Sequence, residues 1–92
     1  MQLGQVGQTI TEKLSKALMP HSLEVIDESH LHAGHSGARP EGETHFRVKI
    51  QSEAFQGKSL VQRHRMVNEV LAEELNGPVH ALAISASAPA TQ

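Results

Sequence analysis

A chain of 92 residues with no cysteine, seven histidines and a formal net charge of −2 admits one domain and excludes several kinds of chemistry. Without a thiol it can form no disulfide, no Cys-ligated zinc site, no thiol nucleophile and no self-sufficient thiolate-held iron–sulfur cluster. With no Trp or Tyr, two Phe, and eight basic against ten acidic residues, it has neither a wide aromatic platform for stacking bases nor a global positive field. No apolar run is long enough to span a bilayer, and the MQLGQVGQTI start has neither the basic nor the apolar region of a signal peptide. A soluble, cytoplasmic protein without a membrane is expected.

In chain order, Leu3, Val6, Ile10, Leu14, Ala17 and Leu18 recur at three- and four-residue steps and predict a first helix with one apolar stripe. Gly4 and Gly7 weaken its first turns and move the expected start toward residue 8, with Thr9 or Thr11 as cap; Pro20 ends it. Residues 22–29, with Leu23, Val25 and Ile26, predict a first strand. A loop of about a dozen residues follows, HLHAGHSGARPEG, and loops this long are often functional. Residues 43–51 alternate: Thr44, Phe46, Val48 and Ile50 point one way, and His45, Arg47 and Lys49 the other. Ser59 is the expected N-cap of a second helix, with Leu60, His64, Val67, Leu71 and Leu75 as its stripe. Asn76-Gly77-Pro78 stops it, with glycine as a left-handed cap. Residues 79–86 predict a third strand, and 87–92 a frayed tail, so the ordered core is expected over about 8–86 of a single domain, 1–92.

The order α-β-β-α-β predicts an α+β fold: a two-layer sandwich with a three-stranded mixed sheet and both helices on one face. The first two strands pair antiparallel, and the helix between the second and third makes a parallel crossover.

His30, His32 and His35 share the glycine-bearing loop. Neutral imidazole suits iron, zinc or copper, and a cluster iron can take two imidazoles in place of two thiolates. The spacing is not a tight ligand signature, so a solvated polar loop and a metal site both remain open for these three. His80, with Leu82 and Ile84 as its expected same-face neighbours, is either a hydrogen-bonded histidine at the core edge or a ligand. His64 lies on the helix stripe and reads as a partly buried scaffold residue. Arg63 and Arg65 read as solvated and, with Lys58, could meet a phosphate, a carboxylate or an acidic partner. Arg47 and Lys49, beside His45, make a second basic stripe, either a wet sheet face or a partner or nucleic-acid surface. Two GxxG strings, at Gly4–Gly7 and Gly34–Gly37, lie between no pair of helices and read as coincidence. Glu73 and Glu74 are adjacent on a helix, point apart and read as solvated. No nucleophile elbow or triad pattern is present, so an enzyme is not expected, and no catalytic residue is assigned.

Several separated motifs carry a family resemblance. Phe55-Gln56-Gly57-Lys58-Ser59-Leu60, then Arg63-His64-Arg65 and Val67, together with Glu43-Thr44-His45-Phe46, Pro78-Val79-His80-Ala81-Leu82 and the Glu28-Ser29 to His32-Ala33 stretch, resemble the signature of the BolA family over residues 9–86. The resemblance implies a fold like that of class II KH domains and a binding rather than a catalytic role. It implies a partner, a monothiol glutaredoxin with a Cys-Gly-Phe-Ser site, and either a shared bridging 2Fe–2S cluster or a cluster-free complex. His80 matches one family ligand and His32 the loop ligand; His35 or His30 could stand in for His32. Cysteine donors would come from the glutaredoxin and glutathione, since this chain has none. The family's association with DNA, transcription, stress response and cell morphology implies the alternative, a DNA-binding regulator. The free protein is expected to be a monomer or a weak dimer.

Overall fold

The computed structural model describes residues 4–29 and 44–89. Helix α1 runs Gln5–Leu18 from a Gly4 N-cap, so it begins three residues before the expected start. Thr9 and Thr11 are not caps: they sit inside the helix, and their hydroxyls donate one turn back to the Gln5 and Gly7 carbonyls, each at 2.9 Å. Ile10 and Leu14 are fully buried, Val6 and Leu18 pack at the edge of the core, and Ala17 is exposed. The helix closes at Met19, whose left-handed backbone (φ 43) lets its N–H donate to the Ser15 carbonyl at 3.1 Å ahead of Pro20.

Strand β1 (Ser22–Asp27) pairs antiparallel with β2 (His45–Gln51), and β2 pairs parallel with β3 (Ala81–Ser87), giving the order β1-β2-β3. β1 and β2 pair Leu23 with Ile50 and Val25 with Val48; β2 and β3 pair Val48 with Ile84 and Ile50 with Ala86. Opposed residues share a face. Phe46, Val48 and Ile50 therefore form the floor of the core, with Leu23, Val25, Leu82, Ile84 and Ala86 beside them. Helix α1 covers β1, and α2 (Leu60–Val70) covers β3 from the same side. Each fully buried aliphatic or aromatic side chain in this layer contributes about 1.5–3 kcal/mol.

After β2, Ser52 joins two elements: its hydroxyl donates to the Leu18 carbonyl at 2.6 Å and accepts from the Ala54 N–H at 3.1 Å, opening a short 3-10 turn that buries Phe55. Gly57 follows with φ 72, a conformation that favours glycine. The expected N-cap is present as a full capping box: the Ser59 hydroxyl accepts from Gln62 N–H at 3.1 Å, and the Gln62 side chain accepts from Ser59 N–H at 2.8 Å.

Three expectations for this half of the chain change. The single helix is two, because Leu71 (φ −103, ψ 20) interrupts it before α3 (Ala72–Asn76). Leu60, placed on the buried stripe from its spacing, is 67% exposed, since the first turn of α2 stands clear of the core and burial begins toward Val67. Gly77 has φ −119, not a left-handed backbone; glycine fits there because a Cβ would lie 3.2 Å from the Glu73 carbonyl oxygen.

Glu73 and Glu74 also differ from expectation, converging on one cation. Lys13 of α1 lies 3.2 Å from Glu73 and 2.8 Å from Glu74, closing α1 against α3. Hydrogen bonds that Lys13 donates to Glu74, then Glu73, hold its amine above its usual range. β3 begins at Ala81 rather than residue 79 and includes Ser87. Gln56 donates to the Pro89 carbonyl at 3.2 Å, so the chain is held beyond the expected end of order at residue 86.

Candidate functional site

At one end of the sheet, Ser29, two residues beyond the end of β1, meets Thr44, the residue that leads into β2. Ser29 and Thr44 are both buried. The Ser29 hydroxyl accepts the Thr44 N–H at 2.8 Å and the His45 N–H at 3.1 Å, and the two hydroxyls are 3.3 Å apart. Asp27 braces the clamp by accepting the Ser29 N–H at 2.9 Å. The clamp joins the two described residues that flank positions 30–43 in the sequence. That segment carries His30, His32 and His35, which lie outside the described residues, as does the Gly34–Gly37 string.

Thr44 works in two further directions. Its hydroxyl lies 2.8 Å from His45 Nδ1, and its carbonyl accepts the N–H groups of His80 at 2.7 Å and Ala81 at 3.2 Å. His80 precedes β3 rather than sitting within it. Its ring is exposed and lies parallel to that of His45, with centroids 6.2 Å apart and planes 11° apart, a separation found for offset aromatic pairs. The expected grouping of His80 with Leu82 and Ile84 therefore changes. Alternation holds only within a paired strand, and His80 lies one residue before it.

Arg47, next outward on β2, donates from Nε to Glu28 at 2.8 Å; the two side chains are 43% and 19% exposed. Glu28, His45, Arg47, Ala81 and Ala83 line a shallow depression over β2 and β3.

The basic residues expected to form one surface divide. Arg63 is half-buried and tied to the fold: its Nε donates to the Lys58 carbonyl at 3.0 Å and its Nη1 to the Ala86 carbonyl at 3.3 Å, so it fastens α2 to β3. Lys58 and Arg65 are exposed and share an open groove along α2 with Gln62, Met66 and Glu69. Lys49 is exposed on the sheet face away from the helices. His64 is half-buried on α2. The Gly4–Gly7 string opens α1, with Gly7 buried inside the helix.

Sequence reasoning did not find the Ser29–Thr44 clamp or the place of His45 beside His80. One signal was available: alternation with Phe46 put the polar Thr44 on the inward face, and a buried hydroxyl needs a partner.

Among the described residues, no three His, Asp or Glu side chains converge as a metal site. His80 is nonetheless a suitable single donor: an exposed neutral-capable imidazole, with no hydrogen bond or ion pair of its side chain among the described residues. The chain contains no cysteine, so it has no thiolate of its own to offer a metal.

Fold and site define a small α+β domain that presents histidines at one end of a three-stranded mixed sheet. The sequence model of the family described as BolA-like protein matches residues 14–91, and the chain belongs to that family. It is 53% identical over 87 residues to BolA-like protein 1 of Mus musculus, covering 95% of this chain and 61% of the mouse protein. It is 52% identical over 92 residues to SufE-like protein 1, chloroplastic/mitochondrial, of Arabidopsis thaliana, covering 96% of this chain and 25% of that protein. The chain thus spans a quarter to three fifths of the length of these two relatives. Among solved structures, the BolA domain of SufE1 from Arabidopsis thaliana superposes with a TM-score of 0.87 at 52% identity, covering 96% of each chain. BolA1 from the same plant superposes with a TM-score of 0.84 at 40% identity, covering 98% of this chain and 99% of that one. Among the described residues no helix is long and apolar enough to cross a membrane. One relative is named for chloroplast and mitochondrion, so family membership does not fix the cytoplasm as the compartment.

Proposed function

We propose that this protein is an accessory factor in iron–sulfur cluster assembly, trafficking or sensing, acting with a monothiol glutaredoxin and sharing a bridging 2Fe–2S cluster. His80 and one histidine of the 30–43 segment, His32 with His35 or His30 as alternatives, are the ligands this chain would contribute. The partner cysteine and glutathione would supply the thiolates, because this chain contains none. The role is ligand supply and protection of a labile cluster, with no bond-making step, and the cytoplasm is its proposed compartment.

One observation carries the proposal. The exposed His80 is tethered by its backbone to Thr44, and Thr44 is clamped to Ser29, so the two residues that flank the histidine-bearing segment in the sequence are joined beside it. The SufE-like name of the Arabidopsis relative supports the iron–sulfur side of the proposal. Anaerobic mixing with a monothiol glutaredoxin, iron, sulfide and glutathione should give a heterodimer with visible circular dichroism. His80→Ala and His32→Ala should each change that spectrum, and unchanged spectra in both would overturn the ligand assignment.

The groove shared by Lys58 and Arg65 beside the α2 capping box favours DNA binding as a second reading. It predicts affinity that falls steeply with salt. The log–log slope should shrink by about 0.9 for each phosphate that Arg65→Gln or Lys58→Gln no longer neutralises. No binding by the isolated chain at low salt would remove this reading.

A further inference from the structure

The two histidine rings at the sheet end are held very differently. His45 is fastened twice: its N–H donates to the buried Ser29 hydroxyl at 3.1 Å, and its Nδ1 lies 2.8 Å from the buried Thr44 hydroxyl. Backbone and ring are thus both tied to the clamp, which fixes the ring plane. Among the described residues, His80 is fastened through its backbone, to the Thr44 carbonyl at 2.7 Å. Its exposed side chain has no hydrogen bond or ion pair among the described residues, and its ring lies parallel to that of His45, 6.2 Å between centroids. One residue, Thr44, therefore sets both the origin of His80 and the plane beside which its ring rests.

We infer that His45 is a positioning residue for His80: the clamped imidazole offers a fixed flat surface that restricts the His80 ring to the orientation in which it meets a partner-held ligand. The inference rests on the proposed role of His80. Its physical content is a rotamer restriction. A free histidine samples three χ1 wells and two broad χ2 orientations, so selecting one raises its population up to about sixfold. Apparent affinity scales with the population of the competent state. His45 touches no metal in this scheme; it acts through His80.

Two readouts test it. In the isolated protein, three-bond couplings across the His80 χ1 torsion, measured by NMR, should show one rotamer in the wild type, averaging in His45→Ala, and intermediate averaging in His45→Phe, which keeps a flat ring but loses the bond to Thr44. Thr44→Val, which leaves the His45 ring but removes its Nδ1 partner, should give intermediate averaging. It also serves if His45→Ala does not fold. In the glutaredoxin heterodimer, His45→Ala should lose its visible dichroism about three to six times faster than wild type, and His45→Phe at a rate between the two. Averaged couplings in the wild type, or couplings and loss rates unchanged in His45→Ala, would overturn the positioning role. If wild type forms no cluster with the partner, or His80→Ala leaves the spectrum intact, the proposed function fails instead, and the couplings in the isolated protein still decide the role of His45.

Discussion

Strand β2 carries two unlike surfaces one residue apart. Phe46, Val48 and Ile50 face the helices and are at most 2% exposed, in a layer held by shape and dehydration. His45, Arg47 and Lys49 face the other way, with His45 parallel to His80, Arg47 paired with Glu28, and Lys49 in water. The inward face makes the fold stable, and the outward face makes the end of the sheet specific. Thr44 lies where the two meet. It is on the inward face by alternation and fully buried, yet its hydroxyl and carbonyl serve the outward histidines.

That division can be broken or sharpened by substitution, beginning with the largest expected effect. Phe46→Ala should cost about 3–5 kcal/mol in urea unfolding. A domain of this size has about 5–14 kcal/mol to lose, so the variant should keep its fold with a much smaller margin and reach the unfolding midpoint only if the starting stability is near the low end. A cost below about 1 kcal/mol would mean that the inward face is not the main support of the fold.

Ser29→Ala should cost about 1–3 kcal/mol, because it leaves the buried N–H groups of Thr44 and His45 without their acceptor. Unlike Phe46→Ala, it should also move the ring signals of His45 and His80 in the folded state. Loss of stability with both rings unmoved would separate the clamp from the outward face.

Arg47→Gln should cost under about 1 kcal/mol, since its pair with Glu28 is partly solvated, and the His80 ring should be undisturbed. A larger loss would show that the outward face also bears the fold.

The smallest effect is expected for Lys13→Met, away from the sheet end. The Lys13 pKa is raised in the folded state by Glu74 and then Glu73, so its contribution is fully present below the ordinary lysine value of 10.5 and fades as pH rises through the folded value. Wild type should melt slightly above Lys13→Met at neutral pH, and the two melting temperatures should converge at alkaline pH. A difference that persists there would assign the effect to the lysine stem rather than its charge.

Patterns repeated locally are legible in the order of the residues. The period-two run from Thr44 to Ile50 identifies β2 and its inward face, and Ser59 followed by Gln62 marks the start of α2. The antiparallel and parallel pairings follow from loop and helix lengths. The histidine content, the absence of cysteine and the separated BolA-like motifs direct attention to His80 and to the 30–43 segment. Errors arise where a local rule meets a boundary. Leu60 keeps the helical spacing but lies on a turn beyond the core, and His80 keeps the strand alternation but precedes the first paired residue. Arg63 and the Glu73–Glu74 pair read as solvated charges because their partners, Ala86 and Lys13, are 23 and about 60 residues away.

The sequence by itself determined the element types, the inward side of the sheet and the lack of any thiolate in the chain. These follow from periodicity, capping chemistry and composition, which act over a few residues or over none. Only the tertiary structure decided that Ser29, Thr44, His45 and His80 meet. Ser29 and Thr44 are 15 residues apart, and the approach of His80 requires β3 to lie parallel to β2. The antiparallel β1–β2 pairing brings the first two together, and the crossover through α2 delivers the last. No spacing rule encodes a contact made when separate strand ends come into register.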